Sequence, residues 1–508
     1  MNQQVNPPTP PPYTDCGADG RELAKLGNDD SLSVRLDGTK WFPFELPPDK
    51  GNDVQWFIYG RCAFDAIATA LATVTSADHR IYLIGWYAHL EAPLGIGGPT
   101  VKDALAAADG RHVPIRVMLY KNRAPGYDTE PFVTFVNGLT YGTAVWDQRV
   151  PDFGAHHQKL LVVQGEQGLV AFAGGMDLFE DREWWNYPEL WPLHDVHLQL
   201  TGPAARTVLN IFYERWRDHP DTPPLDRKGN LDSFPMGLPE VALLGGNTRQ
   251  LVRVGRTYPN AAKHGMTDAQ GQPASYQFAP TGEMTAWRLI EHAIGAAIHF
   301  IYLEDQYLVS RRVSQALAAQ LASRPHFEVV ILTSRSDQVI EEISEVVPRR
   351  KAFAADLKAA DPTGLRWSIH CLVKQPNPER AKWCGPYVHS KTWIFDDLFF
   401  ITGSANVNER GYSHDSEAVV GVADDVGITR GDPRSSAQLL RIALWHKHLG
   451  IAHRSLVSWQ QGIRFWRHPP PTAMVTPFDL AEADPNNLNT ADPQYDILWN
   501  TVIDPSGT

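Results

Sequence analysis

The chain has 508 residues, 43% hydrophobic and 20% charged, an ordinary globular balance with length enough for two or three domain-sized units. Its formal net charge of -12 argues against wholesale nucleic-acid binding, because affinity for a phosphate backbone comes mainly from Lys and Arg displacing counterions, although a local basic pocket remains open. No run of Lys and Arg beside an apolar stretch offers a polybasic clamp on an anionic membrane, and no apolar run approaches the roughly 18 residues needed to span one.

The first residues, MNQQVNPPTPPPYTDCG, carry neither the basic nor the apolar part of a secretory signal. With the rest of 1–50 they read as a Pro/Gly-rich tail and lead-in. GRCAFDAIATALATV (60–74) predicts a helix and RIYLIGW (80–86) a strand. A helix near 101–109 leads to HVPIRVMLY (112–120), TAVWD (143–147), QKLLVVQ (158–164), LVAFAGG (169–175), DVHLQL (195–200) and a helix at 203–217. The Pro-, Gly- and Asn-rich region after it predicts a linker. The pattern then restarts with a helix at 283–298, HFIYLED (299–305), a helix near 311–323, FEVVILTS (327–334) and a helix near 339–359. LRWSIHCLV (365–373), KTWIFD (391–396), LFFITGS (398–404), EAVVGVAD (417–424) and a helix at 434–449 complete it. The expected layout is a lead-in at 1–50, a first lobe at 51–245, a linker at 246–280, a second lobe at 281–470 and a loop-like extension at 471–508. Strands alternating with helices make each lobe α/β, a mixed sheet flanked by helices. The cysteines Cys16, Cys62, Cys371 and Cys384 lack metal spacing and read as reduced thiols, so no metal site is expected.

The halves match element by element, polar residues included. Helix then I-Y-L recurs at 81–83 and 301–303, and a strand pair that opens with H-x-K and closes on Gly recurs at 157–175 and 389–404. An acid opens a strand at Asp195 and again at Glu417. An internal duplication of this kind predicts two lobes about a pseudo-twofold axis, with equivalent residues facing each other across the seam.

The first motif holds His157, Lys159 and Gln164, followed by Gly174, Gly175 and Asp177. The second holds His389, Lys391 and Asp396, followed by Gly403, Ser404 and Asn406. His and Lys two apart on a strand share a face, so imidazole and ammonium reach one ligand. Two imidazoles and two ammonium groups around one cleft suit a phosphate diester. One neutral His attacks phosphorus, the other, protonated, gives its proton to the departing alkoxide, and the roles then reverse. Lys159, Lys391, Ser404 and Asn406 meet the phosphate oxygens without a metal, and a carboxylate behind each imidazole fixes its tautomer.

This constellation resembles the phospholipase D superfamily, whose signature, H-x-K-x(4)-D followed by a Gly-Ser and Asn segment, occurs twice. The eukaryote-like branch is also similar in HDVHLQLTGPAA and FYERW (within 194–216), APTGEMTA (279–286), IYLEDQYL (301–308) and GSANVNERGYSHDSEAVV (403–420), a resemblance covering roughly residues 55–450. It implies His157 as nucleophile, His389 as general acid, and Lys159, Lys391 and Asn406 as phosphate ligands. Asp195 and Glu417 would brace the histidine of the opposite half, with Asp415 as fallback. The implied reaction is hydrolysis of the distal phosphodiester of glycerophospholipids to phosphatidic acid through a phosphohistidine, with transfer to other alcohols, no required cofactor and transient contact of a monomer with a membrane surface. Rival readings are a cardiolipin-synthase-like phosphatidyltransferase or a nuclease on the same scaffold, and a lipid-binding pseudoenzyme. The last is motivated by Gln164 where the pattern expects Asp; His414, where relatives often carry Arg, is a smaller departure. The segment 179–193, with Trp184, Trp185, Tyr187 and Trp191, reads either as an aromatic lip for the lipid interface or as a packed loop. The expected location is cytoplasmic, or outside the cell by a dedicated export apparatus.

Overall fold

The computed structural model describes residues 23, 38–95, 97–122, 126–179, 193–222, 250–267, 271–339, 343, 345–373, 386–425, 434–471, 473–479 and 493–505. Most of the Pro-rich tail, Cys16, Cys384 and the Trp-rich segment lie outside these. In the first half the strands are β1 (Asp49–Phe57), β2 (Arg80–Gly85), β3 (Ile115–Leu119), β4 (Gly142–Trp146), β5 (Leu160–Gly165), β6 (Gly168–Gly174), β7 (Leu193–His194) and β8 (His197–Thr201). In the second they are β9 (Gln250–Tyr258), β10 (Glu283–Met284), β11 (Phe300–Asp305), β12 (Glu328–Thr333), β13 (Trp367–Leu372), β14 (Tyr387–Val388), β15 (Thr392–Phe395), β16 (Phe399–Gly403), β17 (Glu417–Asp424) and β18 (Val475–Pro477).

The fold is mixed α/β. The first half runs β1-β8-β6-β5-β2-β3-β4 across the sheet and the second runs β9-β17-β16-β15-β11-β12-β13, the same order. In both, the first four pairings are antiparallel and the last two parallel. The two halves are continuous rather than separate sheets: β1 pairs antiparallel with β9 at the centre, giving 16 strands in one sheet. Asn52 and Gln250 stitch this junction, Asn52 Nδ2 donating to Gln250 O at 3.2 Å and Val54 N to Gln250 Oε1 at 2.6 Å.

Period 2 explains why the strands read as unbroken apolar runs, since both faces are covered. On β2, Tyr82 and Ile84 join one core, shared by both halves beneath helices Pro203–Asp218 and Ser436–Leu449, while Ile81 and Leu83 join another. On β11, Phe300 and Tyr302 enter the shared core while Ile301 and Leu303 face helices Thr285–Ala296, Arg311–Ser323 and Val346–Ala360.

Several expectations need correction. The stretch 246–280 is not a linker throughout: QLVRVGRTY (250–258) within it, with two of every three residues buried, forms the central strand β9 between β1 and β17. The lead-in already carries the start of β1 and a 3-10 turn, Gly38–Trp41, whose Trp41 is buried and stacks on Phe399 at 5.6 Å. Within 471–508, β18 adds an edge strand to β13 and Asp504 accepts from Arg410 N at 2.8 Å. Cys62 is disulfide-bonded rather than reduced, its partner lying outside the described residues, and Cys371 is a buried free thiol. No helix among the described residues is long and apolar enough to cross a membrane.

Asp396 shows what the motif's closing acid does. Its carboxylate accepts from the backbone N–H of Ile298, His299 and Phe300 at 2.7, 2.8 and 2.9 Å, capping the entry into β11 from a left-handed turn with φ 53°. Gln164, at the matching place, is buried with both amide atoms unpartnered among the described residues. Replacing Asp396 by Ala should therefore lower unfolding free energy by about 2–4 kcal/mol in denaturant titration, since three donors lose a charged acceptor.

Candidate functional site

In each half the chemistry gathers at the same strand ends. There β2 and β11 end, β5 and β15 begin, β6 and β16 end, and β8 and β17 begin. His157 and Lys159 enter β5, and His389 and Lys391 enter β15. His157 N donates to Ser416 O at 2.9 Å and His389 N to His194 O at 2.8 Å, so each motif is tied by backbone to the residue preceding the other half's acid.

The acids follow across the seam. His157 Nδ1 lies 2.9 and 3.1 Å from the two oxygens of Glu417, and His389 Nδ1 lies 2.7 Å from Asp195 Oδ2. The imidazoles keep 16% and 12% side-chain exposure while Glu417 and Asp195 are buried, so each ring's second nitrogen is the part left for a ligand. Burial, reinforced by Lys159, Lys391, His389 and Arg410, drives the His157 imidazole well below its ordinary value, so the ring is neutral. Burial and Asp415 push Glu417 well above the usual carboxylate range, against the pull of Ser404 and the two lysines. The tautomer with its proton on Nδ1, facing Glu417, leaves the Nε2 lone pair free.

The ammonium groups are held differently. Lys159 Nζ donates to His157 O at 3.1 Å, lies 3.3 Å from Asp177 Oδ2, and sits 5.8 Å from the centre of the Trp86 ring. Lys391 Nζ donates to His389 O and to Gln306 Oε1 at 3.2 Å. Thus one cation has a carboxylate and an indole beside it, the other a neutral amide.

Ser404 departs from its expected role: its hydroxyl donates to Glu417 Oε2, so it steadies the acid rather than reaching for phosphate. Gly175 holds the matching position in the first half, where an added Cβ would fall 2.1 Å from Asp195 Oδ1. Gly403 is equally constrained, its Cβ position lying 2.3 Å from Ala418 O. Asn406 is buried with Oδ1 unpartnered among the described residues, and Asp305 sets its loop by accepting from Val407 N at 2.8 Å. Asp415 does not brace a histidine. It accepts from Ala155 N at 2.8 Å and pairs with Arg410 at 2.7 Å.

Sequence reasoning passed over the supporting residues Trp86, Gln306, His194, Glu304 and Arg410, although all but Arg410's role lay beside quoted strand ends. It also passed over the buried Asp147–Arg149–Arg215 cluster, with contacts of 3.0 and 2.6 Å to Asp147 Oδ2. Arg215 NH1 donates to Gln158 Oε1 at 3.3 Å, and Gln158 Nε2 to Glu417 O at 3.1 Å, linking that cluster to the site. Among the described residues, one group has metal-ligand composition: His194, Glu304 and His448. Both imidazoles lie at hydrogen-bond spacing from the carboxylate, 2.8 and 2.9 Å, and Tyr302 donates to it at 2.7 Å, so its lone pairs are already engaged.

The family PLDc, Phospholipase D, matches residues 368–461. Phospholipase D alpha 1 of Vigna unguiculata is 22% identical over 75% of this chain and 63% of its own length. Phospholipase D alpha 2 of Arabidopsis thaliana is 23% identical over 74% and 63%. The chain thus spans less than two thirds of these curated relatives. The crystal structure of phosphatidylserine synthase from Haemophilus influenzae Rd KW20 is similar in fold, with TM-score 0.53 and 13% identity over 94% of this chain and 95% of that one.

Two measurements check the geometry. Gly175→Ala should displace Asp195 and lower turnover by roughly 10–100-fold, by analogy with losing an orienting partner of an acid–base group, with little change in far-UV circular dichroism. Because burial and the neighbouring cations depress the His157 imidazole, its titration followed by ring-proton NMR should fall below the ordinary imidazole value of 6.5.

Proposed function

The chain belongs to the phospholipase D superfamily, and on that footing we propose that it is a phosphodiesterase releasing the head-group alcohol of glycerophospholipids. The observation that carries this reading is the crossed pairing of His157 with Glu417 and His389 with Asp195 around one cleft. A neutral His157 facing a second imidazole already braced by a carboxylate is the arrangement that a two-step displacement needs.

In the first step His157 Nε2 attacks phosphorus, the N–P bond forms and the P–O bond to the head-group alcohol breaks. The leaving oxygen takes the proton from His389 Nε2, and Asp195 supports the imidazolium before that transfer. In the second step water gives a proton to His389 as its oxygen attacks phosphorus, and the N–P bond breaks to return His157. Lys159 and Lys391 bear on the phosphoryl oxygens, where charge grows in the transition state. Asn406 adds its amide, and Ser404 acts through Glu417. Another alcohol in place of water gives phosphatidyl transfer by the same route. This sequence uses side chains of the chain throughout.

Gln164 stands in the capping position of the motif and not at the reacting atoms, so it does not argue for a pseudoenzyme. Transient contact with a phospholipid surface is the implied partner.

The test is head-group release from mixed liposomes of phosphatidylcholine, phosphatidylethanolamine and phosphatidylglycerol, with a primary alcohol as competing acceptor and single-stranded DNA as a control. Release of a head group together with a phosphatidyl alcohol is expected. His157→Ala should abolish both labelled phosphoenzyme and turnover, and His389→Ala should lower turnover by about 100-fold or more. Full activity in either variant, or cleavage of DNA alone, would sink the reading.

A further inference from the structure

We propose that Lys447, His194, Glu304 and His448 form a positioning network serving only the His389 side of the reaction, holding the His389–Asp195 pair in line to deliver a proton to the leaving alcohol. The inference rests on the phosphodiesterase reading above and deepens it.

His194 sits where the pair is set. Its carbonyl accepts from both His389 N and Ser390 N, at 2.8 and 2.9 Å, and the next residue is Asp195. Its strand β7 pairs with β14, Leu193 opposite Tyr387 and His194 opposite Val388. A shift of His194 therefore moves both the backbone under His389 and the carboxylate behind it.

The His194 side chain is fixed from both ring nitrogens. Lys447 Nζ donates to Nδ1 at 2.8 Å and to Ile58 O at 2.6 Å, which leaves the imidazole proton on Nε2, donated to Glu304 Oε2 at 2.8 Å. On the other oxygen of Glu304, His448 Nε2 donates at 2.9 Å and Tyr302 OH at 2.7 Å. The two imidazoles meet edge to face, centroids 4.6 Å apart, and the Lys447 ammonium lies 4.3 Å from the centre of the Tyr59 ring. A buried ammonium and a buried carboxylate are thus bridged by neutral imidazole, and each charge has donors or acceptors around it. Burial drives His194 down to about 4, keeping the bridge neutral. Burial opposes ionisation of Glu304, yet His194 and His448 hold its carboxyl well below the ordinary range.

The network is one-sided. Glu304 pairs with Thr392 across β11 and β15, three residues after His389. The matching residue, opposite Leu160 and three after His157, is Ile84, which belongs to the apolar core. On that side Ser416, the counterpart of His194, lies 3.3 Å from Tyr276 OH, part of the Asp147–Arg149–Arg215 cluster that reaches Glu417 O through Gln158, a network of different composition that does not enter at the Ile84 position. Within the mechanism above, only His389 must protonate a leaving alkoxide, and only His389 has this support.

The test compares leaving groups in the full-length chain. An alkoxide such as choline needs a proton as it departs, while p-nitrophenolate does not, so a defect in proton delivery is selective for choline. In the first turnover, before water attacks the phosphoenzyme, Glu304→Gln should slow choline release from phosphatidylcholine vesicles by about tenfold or more, while changing p-nitrophenol release from phosphatidyl-p-nitrophenol by less than about threefold. Equal slowing of both in that turnover, or of neither, overturns the network's role. If Glu304→Gln fails to fold, Tyr302→Phe, which removes one donor to the same carboxylate, decides by the same comparison. If the unmodified chain releases neither alcohol, the phosphodiesterase reading fails and this inference with it.

Discussion

Each imidazole of the site depends on a carboxylate from the opposite half, and most of the architecture follows from that crossing. For Glu417 to reach His157 at 2.9 Å and Asp195 to reach His389 at 2.7 Å, the two halves must meet in one fixed register. Backbone bonds from Ser416 O to His157 N and from His194 O to His389 N supply it locally. The antiparallel β1–β9 junction adds a second tie between the halves, Asp49 opposite Val252 and Asn52 opposite Gln250.

Equivalence of backbone does not bring equivalence of side chains. Gly175 stands where the other half has Ser404, because the space is filled by Asp195. Trp86 beside Lys159 matches Gln306 beside Lys391, and Asp177 matches Asn406. Ile84 matches Glu304. The two motifs line one site with the same backbone, and these substitutions are where their surroundings diverge.

Much of this was legible in the sequence because two strong signals coincide there. Apolar runs of strand length, such as RIYLIGW and HFIYLED, mark strands buried on both faces, and the H-x-K spacing puts both functional groups on one face. What escaped has physical reasons. Strand β9 was hidden by the Pro-, Gly- and Asn-rich residues around it and by Arg253 and Arg256, three residues apart, which break the period-2 pattern of a strand. The short helix Glu130–Gly138 follows Asp128 and contains Pro131, a turn-like start. The role of Ser404 could not be read from GSAN, since a hydroxyl at a strand end points equally well to substrate or to a neighbouring acid. The buried polar support, Glu304 above all, is non-local: Glu304 and His194 are 110 residues apart.

The crossed carboxylates also bear on synthesis. A ribosome that has completed only the first half has produced His157 and Lys159, but the acid that steadies His157 is still untranslated 260 positions away. The emerging chain therefore carries an imidazole whose brace does not yet exist, and the crossed pair forms only when the last strands close against the first.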